Sequence, residues 1–429
     1  MPIRLALIGC GRISRRHVLA MKDLQERGRG DFVVTAVCDA NEHAATERAD
    51  MFEELLGNRP VVYSAHGDLL AQAQVDAADL CLPHGFHHGI ALDCMEAGLH
   101  VLCEKPLGIT IEACRVMIEA SERTGRVLST AAPHRRQPGQ RTVKWVFDES
   151  GLIGQPLSFF HQYRSSAVLP GAPGQTDTRP NPSQLWGQQP DGSSEPLPDH
   201  KRWRRDKLMS GGGPVLDSGF HYCDSLRYFF GEPEKVYAVL RSVKSGTPEQ
   251  FGDLPEDTVF VTFTFKNGVT GSWAWSLAAP GEEAYDVTFY GSQGSLRDTT
   301  AAPFSIFHLF QRTPEKLETA RLESSDGSVY AMRELEAMHR ASLSDEEEEF
   351  LYPGGATDGF SIEIWEFLEI LRGNREAPEI DGWEGMRSLA LGDAIYESGL
   401  TGEVVLVDDV LDGSRSQYQD PIDAHWGLR

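Results

Sequence analysis

Short apolar runs and amphipathic stretches take turns along the first third of this chain. Ile3–Ile8 (IRLALI) is apolar but for Arg4 and stops at Gly9, which reads as a strand buried on both faces. From Ser14 to Glu26 the apolar residues Val18, Leu19 and Leu24 recur at helical spacing. Phe32–Cys38 is a second strand, closed by Asp39, and a helix over Asn41–Leu56 leads to a third at Val61–Tyr63. The same reading gives strands at Ala77–Leu82, His100–Cys103 and Val127–Ala131, with helices at Gly89–Ala97 and Ile111–Thr124. This alternation predicts a doubly wound parallel sheet over residues 1–132.

The period then changes. Strands at Leu157–Tyr163, Val236–Val243, Thr258–Lys266, Thr270–Trp275, Tyr285–Tyr290 and Ser295–Arg297 follow one another across short turns such as Lys266-Asn267-Gly268. With helices at about 139–150, 217–230, 358–372 and 382–399, they predict an α/β domain over 133–429 built on an open, mostly antiparallel sheet. Its C-terminal helices are expected to pack partly back on the first domain. A stretch rich in Pro, Gly, Gln and Ser at 165–199, carrying Trp186, reads as a long loop and a candidate lid. The acidic run Asp345–Glu349 reads as a solvated face.

Composition narrows the partners. Forty basic against 64 acidic residues give a net charge of −24, which repels phosphate backbones, so no nucleic acid is expected. The longest apolar runs fall short of the ~18 residues a membrane span needs. The apolar N-terminus runs straight into a glycine turn and reads as a strand rather than a signal peptide. Seven cysteines without a CxxC pair fit free thiols in a reducing cytoplasm, and the His, Cys and Asp positions show no metal-ligand spacing. An open sheet with apolar strands such as 259–263 and 272–275 has a face to cover, so a homodimer or homotetramer is expected.

The chemistry begins at Gly9-Cys10-Gly11-Arg12-Ile13-Ser14, between the first strand and the first helix. Gly9 permits a tight turn, Gly11 lets backbone approach a pyrophosphate at the helix start, and Ser14 is small enough to stand for a third glycine. Asp39 at the end of the second strand suits the adenosine ribose hydroxyls and repels a 2′-phosphate. With Ala40 next to it, the cofactor predicted is NAD.

Four segments together carry a likeness: this glycine turn; Leu82-Pro83 followed by His87; Gly98–Pro106, ending Glu104-Lys105-Pro106; and Gly211–His221, containing Asp217. On them the chain resembles the Gfo/Idh/MocA oxidoreductase family over nearly its whole length. The resemblance implies a Rossmann domain followed by an α/β domain, and a hydride exchanged between nicotinamide and a secondary hydroxyl of a sugar, glycoside or cyclitol. It also allows a redox-neutral glycosidase or lyase working through a transient keto-sugar, and, at a further remove, a nucleotide-sensing regulator without activity. Lys105, at the C-terminal end of a parallel strand, is placed to bind the reacting hydroxyl, with Glu104 positioning it. Asp217 and His221, four apart at a helix start, suit proton transfer; the plainer alternative is a helix cap and a half-buried polar residue. The resemblance further implies that Pro83, His84 and His87 line the cofactor, although His84 stands where the family has Asn. Trp203 and Arg204 resemble a cofactor-contacting pair, and His134, His161 and Tyr163 are candidate substrate contacts.

Overall fold

The computed structural model describes residues 2–165, 203–242, 249–250, 256–279, 281, 283–299 and 320–428. The loop expected at 165–199, with Trp186, lies outside the described residues apart from Ser165. The chain divides into two compact units. The first is Met1–Gln137 with Leu343–Arg387, and the second is Pro138–Ser342 with Ser388–Gly427.

In the first unit six strands run in parallel: β1 Ile3–Ile8, β2 Phe32–Cys38, β3 Val61–Tyr63, β4 Ala77–Leu80, β5 His100–Glu104 and β6 Leu128–Ala131. Their order, β3-β2-β1-β4-β5-β6, reverses direction between β1 and β4, which is where a doubly wound sheet opens a crevice at its strand ends. The helices between them are α1 Ser14–Glu26, α2 Glu42–Leu56, α3 His66–Gln72, α4 His87–Glu96 and α5 Ile111–Thr124. Local signals set several bounds. Asn41 precedes α2 and accepts the Ala44 amide (3.3 Å), Thr110 does the same for Ala113 (3.2 Å) ahead of α5, and Gly57 and Gly125 end those helices at positive φ. The core joins Leu5, Leu7, Val18, Met21 and Phe52 to Phe360, Ile364, Phe367 and Leu368 of the helix Gly359–Leu371. Each such buried side chain stabilises the unit by about 2 kcal/mol.

In the second unit ten strands form one sheet among the described residues. In chain order they are β7 Pro156–Arg164, β8 Pro233–Ser242, β9 Glu249–Gln250, β10 Thr258–Phe265, β11 Thr270–Ser276, β12 Ala284–Gly291, β13 Gly294–Asp298, β14 Arg321–Ser324, β15 Val329–Ala331 and β16 Val405–Leu406. Pairing is antiparallel except between β7 and β11, which run parallel side by side with β12 on the far side of β7. Phe159, His161 and Tyr163 alternate inward along β7, and the inner face carries Phe263, Phe265, Trp273 and Phe289. Phe230 of the helix Gly219–Phe230 stacks on Phe159 at 5.3 Å, and Phe147 of the helix Pro138–Asp148 meets Phe289 at 5.7 Å. Period two sends Phe160, Tyr237, Phe260 and Tyr290 to the opposite face, where each is 43–52% exposed.

Two readings of the sequence are corrected, and the acidic run is a solvated face as expected. The helix expected from 217 begins at Gly219, because the chain first makes a tight turn in which the Asp217 amide donates to Gly213 O (3.0 Å). The helix expected at Gly89–Ala97 starts at His87, behind a single 3-10 turn at His84–Phe86. The acidic run sits on a short helix, Asp345–Leu351, whose exposed first turn is capped by Ser344 and Glu347. That Ser-x-x-Glu spacing is a capping box and was legible in the sequence.

Candidate functional site

Glycine is obligatory at position 9. Its φ of +94° is left-handed, and a Cβ there would lie 2.3 Å from Cys81 O beyond the end of β4. The turn it makes is held from several sides. Gly9 N donates to Cys38 O (2.8 Å), Ser14 Oγ to Gly11 O (2.7 Å), and Arg48 reaches the carbonyls of Cys10 (3.3 Å) and Gly11 (3.2 Å). Asp39 binds the turn directly: one oxygen accepts the Cys10 amide (2.7 Å) and the other the Asn41 amide (2.8 Å). Each oxygen keeps a second lone pair for a ribose hydroxyl.

These residues fit a dinucleotide. A Cβ on Gly11 would meet no protein atom within 4 Å, so backbone there can be approached closely. No side chain caps α1, and its first turn carries no acid, so its leading amides are donors for an anion. Arg12 is exposed beside them and Ile13 half-buried.

Lys105 follows the last residue of β5 and is half-buried. Its amide donates to Glu104 Oε2 (3.0 Å). The other Glu104 oxygen faces His17 Nε2 at 3.2 Å, and His17 Nδ1 faces Asp79 Oδ2 at 2.9 Å. Cys81 borders this group, with its polar atom within 4.8 Å of those of His17 and Asp79. Burial holds the Cys81 thiol far above its ordinary range, and both ring nitrogens face carboxylates, so the group is a hydrogen-bonded network. The pattern alone did not single out His17 or Asp79. An acid inside the apolar strand AADL was the available signal.

His87 clamps the same turn from another side. Its Nδ1 faces Pro106 O (2.9 Å) and Leu107 O (3.3 Å), while its Nε2 faces Leu82 O (2.9 Å). Burial pulls His87 below its ordinary value, so at neutral pH one nitrogen donates. Pro83 leads into the 3-10 turn, and His84 is buried with its ring 5.8 Å from that of His87. His134 lies close enough to Lys105 for the ammonium to act on it. Burial, then that charge, hold His134 well below its ordinary value and therefore neutral. Its neighbours are structural: Arg135 pairs with Glu384 (3.1 Å), and Arg136 is buried between Glu366 and Glu363.

In the second unit Asp217 and His221 flank the start of the helix Gly219–Phe230, both at least nine-tenths buried. Arg204 Nε donates to Asp217 Oδ2 (3.0 Å), and the Arg204 guanidinium lies 4.3 Å over the Trp203 ring. Trp203, Arg204 and Asp217 are thus one cluster. Behind it the glycine run is fixed by Tyr396, whose hydroxyl accepts the Gly213 amide (2.8 Å) and donates to Glu256 (3.0 Å). A Cβ at Gly212 would lie 2.4 Å from that hydroxyl. Glu256 also accepts the Val215 amide (2.7 Å), and burial pushes its carboxyl up to about 7. His161 is wholly buried among Tyr222, Tyr285 and Trp273, with ring centroids 4.8, 5.2 and 6.4 Å away, and burial pushes it down to about 3. Tyr163 is buried two residues along β7.

All seven cysteines are free and buried. Burial and the Asp39 carboxylate push Cys10 up to about 12, and burial raises Cys38 to about 11, so neither is a thiolate nucleophile. Among the described residues no helix is long and apolar enough to cross a membrane.

Comparison with known proteins gives two family matches. Residues 3–132 match an oxidoreductase-family NAD-binding Rossmann fold, and residues 175–407 match an oxidoreductase-family C-terminal alpha/beta domain. The chain is 28% identical to D-glucoside 3-dehydrogenase of Escherichia coli (strain K12) over 277 residues, 62% of this chain and 68% of that one. It is 28% identical to levoglucosan dehydrogenase of Pseudarthrobacter phenanthrenivorans over 316 residues, 68% of this chain and 73% of the relative. Among solved structures it is similar to the WlbA dehydrogenase from Bordetella pertussis, determined in complex with NADH and UDP-GlcNAcA. That likeness has a TM-score of 0.65 at 25% identity and covers 94% of this chain and 97% of the other.

Proposed function

The chain belongs to the Gfo/Idh/MocA oxidoreductase family, and from that premise we propose that it exchanges a hydride between NAD and a secondary hydroxyl of a sugar, glycoside or cyclitol. The observation that carries the reading is Lys105 at the C-terminal end of β5, in a unit whose first turn, closed by Asp39, suits NAD. Relatives named as glucoside, levoglucosan and inositol dehydrogenases support the substrate class.

Bound NAD supplies the hydride acceptor. The chain's own residues supply position and proton transfer. The Lys105 ammonium donates to the reacting oxygen and stabilises its alkoxide character. His221 takes the hydroxyl proton, and Asp217, itself held by Arg204, orients the exchange. Gly9, Gly11, Arg12, Ile13 and Asp39 hold the dinucleotide, with Pro83, His84, Glu104, Trp203 and Arg204 as further cofactor contacts. His87 acts by fixing the Lys105 turn. His134, His161 and Tyr163 are our candidates for substrate contact. A neutral imidazole offers one donor and one acceptor, which matches a sugar hydroxyl.

A panel of sugars, glycosides and cyclitols followed at 340 nm tests this. NADH should accumulate in proportion to oxidised product, and NAD should be used in preference to NADP because the Asp39 carboxylate repels a 2′-phosphate. Aglycone release without lasting NADH would replace net oxidation by redox-neutral cleavage. Equal use of NADP would remove Asp39 from its role.

The exposed sheet face bearing Phe160, Tyr237, Phe260 and Tyr290 supports self-association through a second copy of this chain. Light scattering at micromolar concentration should give two or four times the 47.5 kDa chain mass, and a monomer would overturn this assignment. The free, buried thiols favour a reducing compartment, the cytoplasm.

A further inference from the structure

His17 has no part in the chemistry described so far, yet both its ring nitrogens face carboxylates, one of them the Glu104 that holds the Lys105 amide. Its side chain is wholly buried on the inner side of α1. Strand parity explains what it meets. Asp79 pairs with Leu102 across β4 and β5, so Asp79, Cys81, Leu102 and Glu104 share one sheet face, which presents two carboxylates from adjacent strands to the same imidazole.

The contacts impose a proton count. A neutral ring has one N–H, but both nitrogens face carboxylate oxygens, at 2.9 and 3.2 Å. Two ionised carboxylates there require two ring protons, hence an imidazolium. Burial opposes that charge, but Asp79 and Cys81 together outweigh it, so His17 stands well above its ordinary value. Other groups acting on the site are few. The Cys81 thiol just past β4 stays protonated, the buried Glu363 and the partly buried Asp358 lie on or beside the helix Gly359–Leu371, and Arg16 pairs with Asp358. The Phe360 ring edge, 5.5 Å from the imidazole, closes the remaining side against water.

We propose that His17 is a positioning residue for Lys105: its imidazolium, gripped between Asp79 and Glu104, fixes the Glu104 carboxylate, whose other oxygen holds the Lys105 backbone amide. The Glu104 side chain is thereby restrained at both oxygens, one at 3.2 Å by His17 and one at 3.0 Å by the amide of the next residue. The inference rests on the reading of Lys105 as the group that binds the reacting hydroxyl.

Two measurements test it. In the full-length protein with 15N-labelled histidine, NMR should show both His17 ring nitrogens protonated well above neutral pH, and a neutral ring at neutral pH would overturn the proposal. His17→Gln should lower kcat about 100-fold, the scale of a small misplacement of a catalytic group. It should leave the KM for NAD within about twofold, so that the loss falls on kcat alone. A lowered Tm with kcat and KM near those of the unaltered protein would mean a structural role only and overturn the proposal. If His17→Gln does not fold, the NMR result decides. Normal turnover in Lys105→Ala would sink the reading of Lys105 itself, whereas a dead Lys105→Ala beside a normal His17→Gln would sink this inference alone.

Discussion

Lys105→Ala is expected to lower kcat about a thousandfold while NAD binding survives. The loss corresponds to about 4 kcal/mol of transition-state stabilisation at 1.36 kcal/mol per tenfold. It follows from where the lysine sits: at the end of β5, half-buried, with its amide tied to Glu104 and its turn packed against the buried His87 ring, which faces Leu82 O and Pro106 O. Alanine removes the ammonium and leaves every one of those backbone ties. The dinucleotide turn is built from Gly9, Gly11 and Asp39, through hydrogen bonds that do not involve Lys105, so the Kd for NAD by titration calorimetry should stay within a few fold. A second readout follows from sign. The Lys105 charge is one of the two influences that depress His134, burial being the larger, so its removal should raise His134 toward its ordinary value, measurable by NMR titration. Near-normal turnover in the variant would remove Lys105 from the chemistry.

His221→Ala should lower kcat by a comparable factor, between about 10²- and 10⁴-fold, and should change the shape of the pH profile. The histidine opens the helix Gly219–Phe230 and is held nine-tenths buried there, next to a turn pinned by Tyr396 and Glu256. Alanine is a good helix former and fits that position, so the fold should survive. What disappears is the group proposed to take the hydroxyl proton. The kcat/KM profile should therefore lose the limb that a general base contributes, while a variant damaged only in packing would keep it. An unaltered profile with a high residual rate would return His221 to the role of a buried polar residue.

The parts of this protein legible in its sequence are those whose physics is local. The bounds of β1, β2 and β3 and of α1 and α5 coincide with the apolar runs and helical periods read from the chain, because glycine turns and neighbouring polar residues mark their ends. Gly9 was legible for the same reason, since its role is a backbone conformation. Asp39 was legible because strand ends beside a glycine turn are a short-range pattern. Lys105, Asp217 and His221 are proposed from motif and resemblance, and the fold adds their surroundings: His134 beside Lys105, and Arg204 on Asp217.

What only the tertiary structure decided depends on residues far apart in the chain. His17 meets partners 62 and 87 positions away, and no window of sequence brings an imidazole to two carboxylates on adjacent strands. Tyr396 fixes the glycine run 183 residues before it, which is why the turn ahead of Gly219 displaced the helix start that spacing predicted. The parallel pairing of β7 with β11 and the inclusion of Leu343–Arg387 in the first unit are likewise set by which apolar faces find each other. Secondary structure follows from backbone preference and the period of side chains, which neighbours determine. Buried polar pairing follows from the requirement that every charge removed from water finds a partner, and that partner is supplied by the fold.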